Sequence, residues 1–265
     1  MTIGNDNDLE GIRHVGRVVA DTLASMKQAV SPGITTRELD EVAAEVFHRW
    51  GARSAPHLVY DFPGVTLISV NDEIVHGVPG SRRIERGDVV KLDVTAELDG
   101  YIADAAETVL VPPFSRTAAR MQRCSIAAFH KGMTAARVGR PVRAIGSAVE
   151  RKVRDFGFHV LRELSGHGVG RTIHEPPTIP NYDAPYATER LTPGMVITIE
   201  PLISMSPTDS FTAFDGWTIC TRDGSPATHH EHTIIVWEDG AEIVTRSLTN
   251  HSKTSPTNST NPTRA

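Results

Sequence analysis

The sequence predicts an α+β protein made of two similar helix–helix–hairpin halves packed as one unit. Three observations lead there. Apolar residues recur at helical spacing in two separate pairs of segments. The stretch GDVVKLDVTAELDGYIADAAETVLV (87–111) reads as two strands joined at Asp99-Gly100, a dipeptide suited to a tight type I′ turn. Placing Gly33 on Gly139 also brings Leu39 onto Ile145, Val42 onto Ala148, Phe47 onto Val153, Trp50 onto Phe156 and Gly51 onto Gly157. One residue further in shift, GDVVKLDV (87–94) meets GMVITIEP (194–201), so that Asp93 corresponds to Glu200.

The first helix is expected over 9–30, with Ile12, Val15, Val18, Val19, Leu23 and Met26 on one stripe, ending at Ser31-Pro32-Gly33. Thr35 and Glu38 form a capping-box pattern for a second helix that stops at Gly51. Residues 65–70 read as a buried strand, followed by the hairpin. A helix over 116–137 has Ser115 as its cap, and Pro141 suits the first turn of another that runs to Gly157. The second half carries an insertion, 204–230, before a strand over 232–237. The two halves span 9–111 and 116–248 of a single domain, 1–248. From residue 249 the chain is rich in Ser, Thr, Asn and Pro and is expected to be a flexible polar tail, 249–265.

The 265 residues, 39% hydrophobic and 22% charged, can bury a full core. A net charge of −5 argues against nucleic acid or an anionic membrane as the main partner. The polar start MTIGNDNDLE does not resemble a signal peptide, no apolar run approaches the length of a membrane span, and two cysteines that form no CxxC pair make a reducing cytoplasm the expectation.

Chemistry concentrates in four stretches. A two-residue turn in the hairpin sets Asp93 opposite Ala106 and Asp104 opposite Thr95, so both carboxylates share one face. Acids are depleted in strands, so the face is either solvated or holds metal. The other stretches are GHGVGRTIHEPP (166–177), ITIEP (197–201) and HHEHTIIV (229–236). Together they nominate Asp93, Asp104, His167, Glu200 and Glu231 as ligands. Four converging carboxylates repel one another unless compensated, and two divalent cations would balance their charge. Oxygen donors with one imidazole point to Mn, Fe(II), Co or Zn more than to a structural zinc site of the thiolate type. The glycines flanking His167 fit close backbone approach. His174-Glu175 begins like HExxH, but Pro176-Pro177 breaks the helix which that motif needs.

The ordered set NDEIVHGVPG, LDV–x9–AD, GHGVGRTIHEPP, GMVITIEP, DGWT and EHTIIV, over about residues 9–248, closely resembles the type I methionine aminopeptidases of the pita-bread fold. The resemblance implies a curved antiparallel sheet and hydrolysis of the first peptide bond of nascent polypeptides bearing a small second residue. It implies that Asp93 chelates one metal ion, that Asp104 and Glu231 bridge two, and that His167 and Glu200 hold the second. Glu200 would also act as general base, His174 would support the tetrahedral intermediate, and His76 would assist near the leaving peptide. Phe62, Leu67 and Trp217, with Tyr60 nearby, match the methionine pocket, although SAPHLVYDFPG (54–64) departs from the family's usual pattern there. A cytoplasmic monomer that meets its substrates at the ribosome is the corresponding expectation.

Three other readings compete with this one. Xaa-Pro aminopeptidases and prolidases share the motifs but carry a large N-terminal domain, whereas here the first motif begins at about residue 71. Type II methionine aminopeptidases have a long insertion where only 25 residues separate His174 from Glu200. Non-catalytic pita-bread proteins have lost ligands, and here every ligand position is filled.

Overall fold

A computed structural model of the chain describes residues 1–246; the tail expected from 249 lies outside the described residues. Helix α1 (Asp6–Ala29) is capped by the Asn5 side chain, and α2 (Thr36–Trp50) by a complete Thr35–Glu38 capping box. Gly51 closes α2 in the left-handed conformation, with φ 68°. A short helix, α3 (Ala55–Tyr60), follows, where the sequence suggested none. Ser54 caps it, Pro56 sits in its first turn, and left-handed Asp61 ends it. Helices α4 (Arg116–Ala135) and α5 (Arg143–Asp155) make the second pair. The last begins two residues after Pro141, which instead makes a backbone bridge to Arg190.

The hairpin strands Val89–Leu98 and Tyr101–Leu110 pair without a bulge, and Asp93 faces Ala106 while Thr95 faces Asp104, as the two-residue turn requires. Through the centre of the main sheet the order is Val89–Leu98, Tyr101–Leu110, Ala227–Trp237, Val196–Ile199, Ser165–Gly168 and Glu175–Pro180. The strand expected at 232 starts at Ala227, so His229, His230 and Glu231 belong to it and not to the insertion. The inserted segment adds a small sheet in which Ile219–Thr221 pairs with both Ser210–Thr212 and Glu73–Val75.

Both helix pairs cover one face of the main sheet. Val90, Leu92, Val94, Ala103 and Ala105 pack with Val15, Leu23, Leu39 and Phe47 of α1 and α2. Ile197, Ile199, Ile234 and Val236 pack with Met121, Phe129, Ile145 and Val149 of α4 and α5. Side-chain alternation then sends Asp93, Asp104 and Glu231 to the opposite face. Aligned glycines of the two halves share positive φ: 99° and 77° at Gly33 and Gly139, 68° and 75° at Gly51 and Gly157, 96° and 76° at Gly87 and Gly194. No described helix is long and apolar enough to cross a membrane.

The Thr35 side chain accepts from the Glu38 N–H, and Glu38 in turn accepts from the Thr35 N–H. Thr35→Ala removes this cap at a cost of about 1 kcal/mol, and a melting temperature lower by about 2–4 °C in thermal unfolding is the expected result.

Candidate metal centre

Each proposed ligand reaches the site from a different neighbouring segment of the sheet. Asp93 and Asp104 come from the hairpin, Glu231 from Ala227–Trp237, Glu200 from the residue just after Val196–Ile199, and His167 from Ser165–Gly168. Glu231 lies opposite Ala106, itself opposite Asp93, so one cross-strand row carries two of the carboxylates. The solvated-face alternative does not hold. Every residue of Val89–Leu98 is buried, and Asp104 is only 6% exposed.

Local bonds hold Asp104 and His167 in place. The Thr233 hydroxyl accepts from the Asp104 N–H at 2.9 Å and donates to the Asp104 carbonyl at 2.8 Å, locking the Asp104 backbone to the Glu231 strand. His167 donates from Nδ1 to the Gly168 carbonyl at 2.9 Å, which leaves its Nε2 lone pair facing the acids. That Nε2 lies 3.9 Å from Glu200 and 4.0 Å from Asp104. The flanking glycines are sterically required: a Cβ on Gly166 would sit 2.6 Å from the Thr198 carbonyl oxygen, and one on Gly168 2.3 Å from that of Pro176.

The electrostatics are those of a cation site. Burial, reinforced by neighbouring carboxylates, holds Asp93, Asp104 and Glu200 well above the ordinary carboxylate range. Burial pushes Glu231 up to about 8 and His167 down to about 4. Asp93 Oδ1, Asp104 Oδ1 and Glu231 Oε1 are buried without a hydrogen-bond partner, an arrangement that is costly unless something else satisfies them. Donor atoms of Asp93, His229 and Glu231 lie within 4.8 Å of one another, and so do those of Asp104, His167 and Glu231. The two groups share Glu231. These residues fit divalent metal in number, charge and chemical type.

The acids open onto a cavity of about 620 Å³ that Tyr60, Phe62, Leu67, His76, His174 and Trp217 also line. Leu67 reaches it because it pairs directly opposite Asp93. Phe62 meets the Trp217 ring edge-on at 5.2 Å, and the Tyr60 hydroxyl shares a 2.6 Å hydrogen bond with His174 Nδ1. The His174 ring lies 4.4 Å from that of His167. His76 has φ 59°, and burial brings its pKa down to about 4.

The model of metallopeptidase family M24 matches residues 10–238. The chain belongs to that family. Among M24 relatives, methionine aminopeptidase 2 of Bacillus subtilis is 40% identical over 248 residues, covering 93% of this chain and 100% of the relative. The methionine aminopeptidase structure from Thermotoga maritima superposes with a TM-score of 0.89 at 33% identity, covering 93% of this chain and 100% of that one. The prolidase structure from Pyrococcus furiosus reaches 0.74 at 25% identity, and the match covers 93% of this chain but only 66% of that longer one. The pita-bread α+β architecture is therefore the fold.

Sequence reasoning missed two features of this M24 site. His229 is 1% exposed, with Nε2 3.3 Å from Glu231 and 3.6 Å from Glu200. Its position two residues before Glu231 on one strand was the available signal, since both then face the same side. His230 and His232 take the other parity and pack around the Phe129 ring. The second feature is the Tyr60–His174 bond, which depends on α3. Glu175, far from starting a zinc helix, lies in a strand and accepts the N–H groups of Arg171 and Thr172.

Two outcomes follow from this geometry. Above about pH 6.5, where unfolded histidines have lost their protons as buried His76 and His167 already have, the raised carboxylate pKa values mean that the folded metal-free protein binds more protons than the unfolded chain. Its stability should therefore fall as the pH rises from about 6.5 through about 8, the raised Glu231 value. Thermal unfolding of chelator-treated protein across that window should show the fall, and metal loading should reduce it, because the ligands then bind deprotonated. Gly168→Ala should displace His167 and weaken metal binding by about tenfold or more in calorimetric titration, the lower range for a disturbed supporting shell.

Proposed function

We propose that this chain is a metal-dependent methionine aminopeptidase, which removes the first methionine from polypeptides whose second residue is small. The observation that carries the reading is the row of carboxylates and one imidazole, set on adjoining segments of one sheet and open to an apolar-walled cavity. Full-length coverage of the methionine aminopeptidases, against 66% of a prolidase, favours this activity over Xaa-Pro cleavage. Methionine aminopeptidases 1 and 2 of Bacillus subtilis are 39% and 40% identical to the chain. That near-equality favours neither as its counterpart.

In this reading two divalent ions would be held, one by Asp93 and the other by His167 and Glu200, with Asp104 and Glu231 serving both. Mn, Fe(II), Co and Zn all suit the donor set, and His229 stands against Glu231 and Glu200 as a further donor. Bound there, the ions would supply a water of lowered pKa and an electrophile for the scissile carbonyl.

The remaining tasks fall to side chains of the cavity. Glu200 accepts the proton of the attacking water. His174, oriented by Tyr60, donates towards the carbonyl oxygen as it gains charge. His76, neutral at pH 7, contacts the departing peptide nitrogen. Phe62, Leu67, Trp217 and Tyr60 enclose the methionine side chain, whose burial stabilises the complex by about 1.5–3 kcal/mol. One methylene changes selectivity by only about 1–3 kcal/mol, so rejection of branched side chains must come from pocket shape. Nascent chains in the cytoplasm, met at the ribosome by a monomeric enzyme, are the substrates this reading implies.

Protein stripped by chelator and reloaded separately with Co, Mn or Fe(II) should release methionine from Met-Ala peptides. Cleavage of Xaa-Pro but not Met-Ala peptides would transfer the chain to the prolidase-type activity. Asp104→Ala and Glu231→Ala should lose both bound metal and turnover; metal retained at full stoichiometry in either variant would refute the shared-ligand assignment.

A further inference from the structure

Among the described residues Lys91 is the largest charged side chain sealed inside the protein, at 1% exposure, and the chemistry above makes no use of it. It lies two residues before Asp93 on the same face of the strand. Its Nζ donates to the Asn71 carbonyl at 2.8 Å and to the Val89 carbonyl at 3.3 Å. Both oxygens are already engaged: Asn71 accepts from the Ala227 N–H at 3.0 Å, and Val89 from the Asn71 N–H at 2.9 Å.

This junction touches three segments that carry site residues. Asn71, held at φ 57°, opens the turn into Glu73–Val75, which ends immediately before His76. The Asn71 side chain is fastened too, donating to Asp88 and accepting from the Val89 N–H, both at 2.9 Å. Ala227 is the first residue of the strand that carries Glu231. Val89 is the first residue of the strand that carries Asp93. A single amine thus satisfies the second lone pair of two carbonyls where those segments meet. An amine has enough N–H donors for both whether or not it is charged, so the arrangement does not depend on its protonation.

We propose that Lys91 is a positioning residue, whose amine ties the His76 segment and the Glu231 strand to the Asp93 strand and so holds both sides of the cavity in register. The proposal rests on the aminopeptidase reading for its effect on turnover, but not for its effect on the backbone. A plain core role predicts something different: Lys91→Met would then lower global stability and leave kcat and the relative exchange of these segments unchanged in the folded protein.

The test compares Lys91→Met, which keeps the volume, with Lys91→Gln, which keeps a donor, in the full-length metal-loaded protein. Lys91→Met should lower kcat on a Met-Ala peptide by about tenfold or more with KM within about twofold, the range expected when a buried hydrogen bond is lost at a catalytic framework. Hydrogen exchange should quicken together in peptides covering 71–76 and 227–231 and stay unchanged in α4. Lys91→Gln should recover part of both effects. Unchanged exchange in those two peptides, or kcat within about twofold of the parent, would overturn the proposal. If the parent itself cleaves no Met-Ala peptide, the aminopeptidase reading fails while the exchange measurement still decides the role of Lys91. If neither variant folds, exchange in the parent decides: the two segments should open as one unit, and independent opening would overturn the link.

Discussion

Four carboxylates that cannot all be charged together in a buried site are what the rest of this structure accommodates. Each is held by a strand, or by the residue just after one, in a single sheet, and none is more than 9% exposed. Their mutual repulsion and desolvation push their pKa values up, so the folded protein presents a strong demand for positive charge. The two helix pairs bury the opposite face and provide the apolar packing that makes such a concentration tolerable.

Precision in this arrangement comes from small backbone features. The unbulged hairpin keeps Asp93 and Asp104 on one side, because a single inserted residue would turn one of them toward the helices. Thr233 ties the Asp104 backbone to the neighbouring strand, and Gly166 and Gly168 let strands approach closely on either side of His167. His167 in turn uses its far nitrogen to satisfy a carbonyl, which aims the near one. Specificity and catalysis are thus served by main-chain geometry as much as by the acids themselves.

Much of this was legible along the chain because it is governed by short-range rules. The capping box at Thr35, the stop at Gly51, the stripe of α1 and the Asp99-Gly100 turn are local signals, and each matched the structure to within a few residues. Where local reading failed, a distant partner was responsible. Pro141 bridges to Arg190 instead of opening α5, and the strand expected at His232 starts at Ala227 because Leu202–Ser204 pairs with Ala227, Thr228 and His229. The departure in 54–64 concealed α3, which brings Tyr60 to His174.

The sequence by itself determined which residue types could meet: the parity of the hairpin acids, the glycines around His167, and the ordered motifs from His76 to Glu231. Those depend on periodicity and spacing, which a chain carries wherever it folds. Only the tertiary structure decided that His229 joins the acids while His230 and His232 pack on Phe129, that Tyr60 supports His174, and that Lys91 secures the Asn71 junction. Each of these contacts joins segments far apart in the chain, and the packing that brings them together is a property of the whole sheet and not of any one stretch within it.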